Sequence, residues 1–153
     1  MNDEIHPVGM SQDAAIVLAL AETAIPFATS PEDEAERWVR VLRLHGQVGG
    51  ALQALGVGEA PLSTIAQPTA VRVLHSRPLD EDPVRDVAQC ARRLARGRGA
   101  RAVATVDVLF AVFEVYGRTF DRALYIRGTS REELIDRLAA EAEVEGHTAR
   151  SLT

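Results

Sequence analysis

The sequence predicts an all-α fold, arranged as a pseudo-twofold tandem repeat of two four-helix units in one compact domain. Apolar residues recur at helical spacing in both halves of the 153-residue chain. Two segments open with an N-cap residue followed by proline, Ser30 before Pro31 and Asp82 before Pro83, which is a helix-start signal. Alternating runs of β-branched residues are missing, so nothing in the pattern indicates a sheet.

The chain divides into two halves flanked by short terminal segments. The halves are residues 11–75, which end in a proline-containing connection, and residues 79–140. Residues 1–10 are predicted to form a flexible leader. Residues 141–153 are acidic and rich in small side chains, so we expect a frayed tail.

The first half is predicted to begin with three helices. Ser11 caps the first, which stops near Pro26 and is apolar almost all round, so we expect it at the centre of the core. The second helix carries Trp38 inward, and burial statistics favour a core position for this tryptophan over an exposed anchor for a partner. The third covers about residues 48–55 and ends at Gly56, because glycine adopts the left-handed C′ conformation at low cost.

The second half restarts at Asp82 with a helix whose apolar residues keep a helical spacing. We expect Thr105 to cap the next helix, and a short helix after it to close at Gly128. Thr129 or Ser130 caps the last helix, with a glutamate three residues on completing a capping box.

Composition excludes several classes of protein. All 17 basic residues are arginine, so the chain lacks the lysine of a Walker A phosphate loop, and the bias is typical of a GC-rich, actinobacterial-like genome. A net charge of −5 argues against nucleic acid as a partner. The acidic N-terminus, the lack of a long apolar run and the single cysteine favour a cytoplasmic location without a membrane span. We expect no cofactor and no metal, since the four histidines match no familiar zinc spacing.

The order of elements in the second half resembles a known family. Residues 99–112 read GARAVATVDVLFAV, followed by a short helix ending at Gly128 and a capped helix. This is similar to the Clp N-terminal repeat domain of ClpA-type and ClpC-type AAA+ unfoldases, whose loop carries a Thr-Glu-His sequence before an apolar helix. The first half resembles the family more loosely, with Glu36 to Leu42 in the place of Glu-His and the helix after it.

The resemblance implies a non-enzymatic module that docks substrates, adaptors or partner proteins of a Clp protease system, here as a stand-alone member or a fragment. Glu36 stands where some members use a glutamate to hold a phosphorylated arginine, but Val106 replaces its counterpart in the second repeat, with Asp107 one place later. Leu79, followed by an aspartate, stands where the family has a phenylalanine that lines a cyclic-peptide pocket, and Arg85 corresponds to a nearby basic residue. These five positions are the candidate site for a protein or peptide partner.

Two other classes of function stay open on the sequence. The chain could be a decoy that sequesters a peptide antibiotic or another small ligand. It could also be an enzyme that uses Cys90 or a histidine, although a buried thiol is the more common state of a free cysteine. A local group of arginines could bind an acidic partner or a phosphate, or it could simply be the solvated end of a helix. Its members are Arg92, Arg93, Arg96, Arg98 and Arg101.

Overall fold

The computed structural model describes residues 8–57 and 82–151, with side chains as far as residue 142. Within these residues the fold consists almost entirely of helices, which confirms the all-α prediction. The elements in chain order are β1 (Gly9–Met10), α1 (Gln12–Ala24), a 3-10 turn (Ile25–Phe27), α2 (Pro31–Leu42), α3 (Gly46–Ala54), α4 (Pro83–Gly97), β2 (Ala102–Val103), α5 (Thr105–Tyr116), α6 (Arg118–Ile126) and α7 (Arg131–Ser151).

Local signals in the sequence set the helix ends. Ser11, Ser30 and Asp82 each accept a hydrogen bond from the backbone amide three residues later, at 3.0–3.1 Å, as the capping pattern predicts. Gly56 and Gly128 end α3 and α6 with φ values of +85° and +89°. The N-cap residues and the terminal glycines of the sequence are therefore sufficient to place most of the helices.

The core lies between α2, α5 and the helices packed on them. α5 has its most extensive contacts with α4, while α2 lies mainly against α6, and α3 contacts both α5 and α7. The largest fully buried side chains come from most of these helices and include Trp38, Leu52, Leu109, Phe120 and Leu134. Burial of each such side chain stabilises the fold by about 1.5–3 kcal/mol relative to exposure.

Helix α1 is not the central helix that its composition predicts. It buries one face only, through Ala14, Val17, Leu18 and Ala21, while Ala15 and Ala19 are exposed. The prediction is wrong because much of the apolar character of α1 comes from alanine, and an exposed methyl group costs little.

A short parallel bridge joins the start of the chain to the second half. Gly9 pairs with Ala102 and Met10 with Val103, and the amide of Ser11 donates to the carbonyl of Val103 at 2.9 Å. The end of the expected leader is therefore fixed, and residues 1–7 lie outside the described residues. A pairing of two residues leaves no alternating pattern in the sequence, which is why it was not predicted.

Thr105 does not cap its own helix. The N-cap of α5 is Ala104, whose amide donates to the carboxylate of Asp107 at 2.9 Å. The hydroxyl of Thr105 instead accepts a long hydrogen bond, 3.5 Å, from the amide of Val48 in the first turn of α3. The prediction failed because the hydroxyl serves a helix in the other half of the chain, which no local pattern reports.

The last helix is longer than predicted. α7 continues to Ser151, past the residue 141 at which fraying was expected, because alanine, glutamate and arginine favour helix and no proline interrupts them. None of the helices in the two described ranges is both long and apolar enough to cross a bilayer. The proline-containing connection and Leu79 lie outside the described residues.

Candidate functional site

Glu36 is engaged by an arginine of the other half. Its Oε1 atom accepts hydrogen bonds from Nη2 and Nε of Arg127, at 2.6 and 3.1 Å. Arg127 is the C-cap of α6, and its side chain is only 7% exposed. The pair ties α2 to α6 and occupies one of the two carboxylate oxygens that an incoming guanidinium would need for a bidentate contact.

Asp107 is also paired with an arginine, Arg98. The two side chains form a bidentate pair, with Nε to Oδ1 at 2.8 Å and Nη2 to Oδ2 at 2.6 Å. Since Oδ2 also accepts the amide of Ala104, the buried carboxylate has three donors. These hydrogen bonds to Asp107 raise the pKa of Arg98 above its usual value. Asp107 therefore fixes the start of α5 and the end of α4.

The other three candidate residues form no shared site with these carboxylates. Val106 is partly buried against the core, so the second half offers an apolar side chain where a paired acid would stand. Arg85 is exposed on α4, and its backbone amide donates a hydrogen bond to the side chain of the N-cap residue Asp82. Leu79 lies outside the described residues. Glu36 is paired with Arg127 and Asp107 is paired with Arg98, so each carboxylate already has its own arginine within the chain.

A buried polar cluster links the two halves near Trp38, which is fully buried, as predicted. The indole nitrogen of Trp38 donates to the Tyr116 hydroxyl at 3.1 Å, and that hydroxyl donates to Oε1 of Glu34 at 2.7 Å. Glu34 is 3% exposed, so its carboxylate depends on such donors. The sequence carries no signal for this cluster, because 78 and 82 residues separate the bonded partners.

Cys90 is a buried thiol, as predicted. It lies 3.2 Å from Oε2 of Glu114 and 3.3 Å from Nη2 of Arg93. The pKa of Cys90 is raised to about 11, first by burial and then by the hydrogen bond and charge of Glu114, while the charge of Arg93 opposes this rise. A thiol with this pKa is almost entirely protonated near neutral pH, which disfavours its use as a nucleophile.

The described residues contain no cluster of three or more histidine, cysteine, aspartate or glutamate side chains that could hold a metal ion. His45 precedes α3 as its N-cap residue. The side chains of the other three histidines, His6, His75 and His147, lie outside the described residues.

The arginine group on α4 and the loop after it is divided by the fold. Arg93 pairs with Glu114 at 3.3 Å and Arg98 pairs with Asp107, so two of the five charges are neutralised within the chain. The group is therefore in part a set of internal ion pairs, which the sequence alone did not reveal.

Two surface cavities lie beside exposed apolar residues. One, of about 220 Å³, lies between α1 and α2 and is lined in part by Leu20, Val41 and the half-exposed Leu44. The other, of about 360 Å³, lies between α6 and the start of α7, with Tyr125 as its aromatic wall. Sites that enclose a drug-sized ligand have volumes of about 300–1,000 Å³, so the first cavity has room only for part of a ligand, such as one side chain.

No protein-family model matches the chain, and no curated protein matches it at a significant level.

Proposed function

We propose that the chain is a protein-docking or peptide-docking domain of the Clp N-domain type, acting with the components of a Clp protease system. The proposal combines the resemblance of the second half with the order and packing of the helices. It assigns no chemistry to the chain.

The packing of the helices between halves is the observation that carries the proposal. The second helix of the first half, α2, lies on the third helix described in the second half, α6. In the reverse sense, α3 lies on α5. A twofold axis between α2 and α5 would exchange α2 with α5 and α3 with α6, and would turn one contact into the other. We call this arrangement the crossed packing, and it supports the tandem repeat expected of a Clp N-domain.

The polar contacts do not favour capture of a phosphorylated arginine at the family position. Arg127 already fills Oε1 of Glu36, and Val106 supplies no second carboxylate. A guanidinium is held best by planar bidentate acceptors, so the site would have to break an internal pair and would still lack half of its ligands. Docking through a surface is the mode that these residues leave available.

A direct binding measurement tests the proposal. The purified chain would be titrated with a purified ClpC-type unfoldase, and separately with an adaptor, and complex formation followed by analytical ultracentrifugation. We expect a complex with a Kd in the micromolar range. If neither protein associates with the chain at about 100 µM, where a free energy of only about −5.5 kcal/mol would be detected, the proposal is wrong.

A sequestering role is the second candidate, and the cavity between α1 and α2 favours it. Leu20, Val41 and Leu44 give that cavity an apolar wall, with Arg37 and Arg40 at its edge. Titration calorimetry with a cyclic peptide would show stoichiometric binding if this were the function. If the measured heat equals the heat of dilution, the sequestering role is wrong.

A further inference from the structure

The outer face of α6 carries the residue types of a docking surface. Arg118, Arg122, Tyr125 and Ile126 follow one another at spacings of four, three and one, which places them on one side of a helix. All four are exposed, Tyr125 by 78% and Ile126 by 67%. Tyrosine and arginine are enriched among the residues that dominate protein interfaces. We call these four residues the α6 outer face.

The rest of the helix is held firmly, so the α6 outer face is presented without freedom to turn. Phe120 and Leu124 on the opposite side are fully buried. The C-cap residue Arg127 bonds Glu36 at 2.6 Å. A surface held rigidly in this way loses little conformational entropy when a partner binds.

The charges of this face have no partner among the residues that the structure describes. Neither Arg118 nor Arg122 makes a hydrogen bond or ion pair there, and the carboxylate of Asp121 is taken by Arg131 at 2.9 and 3.2 Å. Two unpaired guanidinium groups one helical turn apart complement two carboxylates at the same spacing, about 6 Å along a helix axis. Beyond them, Tyr125 and Ile126 offer an apolar contact.

We propose that the α6 outer face binds an acidic amphipathic helix of a partner protein. The partner runs parallel to α6 and carries carboxylates at positions i and i+4, which face Arg118 and Arg122, respectively. It carries bulky apolar side chains at i+7 and i+8, which contact Ile126 and Tyr125, and Tyr125 also lines the 360 Å³ cavity. This inference rests on the proposed function only in taking the chain to be a docking domain, and it adds the surface and the chemistry of the partner.

The test uses a fluorescein-labelled helical peptide of about 18 residues, long enough to form a stable helix, with glutamate at i and i+4 and leucine at i+7 and i+8. Binding to the full chain is followed by fluorescence anisotropy. A peptide with lysine in place of glutamate and a single-stranded DNA oligonucleotide serve as comparison probes. The DNA probe distinguishes a basic surface for nucleic acid from a docking face.

The chain supplies a matched control for the charge change. Arg118→Glu with Arg122→Glu reverses two charges on α6. Arg92→Glu with Arg96→Glu reverses two charges at the same spacing on α4, where neither arginine pairs with a described residue. Circular dichroism shows whether each variant keeps its helices.

We expect the acidic peptide to bind the wild-type chain with a micromolar Kd and the lysine peptide not to bind. The α6 double variant should weaken binding by at least about tenfold, Tyr125→Ala by about tenfold, and the α4 double variant by less than about twofold. Equal losses in the two double variants, absence of peptide binding, or preference for the DNA would each overturn the inference.

The same variants separate this inference from the proposed function. Suppose that a Clp component binds the chain, that the α6 double variant binds it equally well, and that the acidic peptide does not bind. The α6 inference is then wrong and the proposed function stands. If instead the peptide binds through α6 and no Clp component binds the chain, the α6 inference stands and the proposed function is wrong.

Discussion

Replacement of Gly46 by alanine tests a close contact between the two halves. Gly46 opens α3 with φ at +77°, and an added Cβ would lie 2.6 Å from Cγ2 and 2.7 Å from Oγ1 of Thr105. Thr105 begins α5 in the second half. The substitution therefore combines a strained backbone with an overlap across the boundary between the halves.

The two costs can be worked out separately. A left-handed conformation in an alanine costs about 1–2 kcal/mol, and overpacking adds about 1–3 kcal/mol, so Gly46→Ala should lower the free energy of unfolding by about 2–5 kcal/mol. Gly56→Ala is the control, since its φ is +85° and an added Cβ there meets nothing within 4 Å. It should cost only about 1–2 kcal/mol.

A second substitution shows whether Thr105 causes the difference. Thr105→Ala alone loses the weak bond to the Val48 amide, about 0.5–1.5 kcal/mol, but it also removes both overlapping atoms. The double variant with Gly46→Ala should therefore be more stable than the sum of the single effects by about 1–2 kcal/mol. Urea unfolding, followed by circular dichroism and by the fluorescence of buried Trp38, measures all four proteins. Additivity within about 0.5 kcal/mol would refute the contact.

Three further predictions follow from the polar contacts. Cys90 should react slowly with thiol reagents at pH 8, and its contribution to stability should be full below pH 9 and lost between pH 9 and about 11, because the thiol of the unfolded chain loses its proton first. A reaction rate like that of a free thiol, or flat stability over that range, would contradict this. Tyr116→Phe should destabilise the fold by about 1–3 kcal/mol, since buried Glu34 loses a donor; a change below about 0.5 kcal/mol in urea unfolding would argue against the cluster. Asp107→Asn should cost about 1–2 kcal/mol in thermal unfolding, because Arg98 loses its bidentate acceptor, and an unchanged Tm would disprove that role.

The helices were predictable where their signals are local. Ser30 and Asp82 cap helices through atoms three residues away, so the sequence is enough to place them. Thr105 is also a residue type that favours the N-cap, and it also precedes an apolar run. Its hydroxyl nevertheless accepts a hydrogen bond from an amide 57 residues away. The difference is that the donor to Thr105 lies far away along the chain, and only the packed fold brings it close in space.

The candidate site was less predictable for the same reason. The family resemblance identifies Glu36 as an acid that could hold a ligand, but Arg127, 91 residues later, pairs with one of its carboxylate oxygens. The α6 outer face was also missed, although its spacing is visible in the sequence. Tyr125 and Ile126 are apolar residues in a short helix, and only the packing shows that Phe120 and Leu124 face inward and leave these two exposed.

The proposed function depends on an approximate twofold axis that relates the two halves, through the crossed packing of α2 on α6 and α3 on α5. A crystal structure of the chain tests it most directly, by superposition of α2 and α3 on α5 and α6. We expect the helix pairs to coincide after a rotation near 180°, and the same rotation to carry α5 and α6 back onto α2 and α3. Helix pairs that match only after a rotation far from 180°, or that cross at different angles and do not match at all, would contradict it.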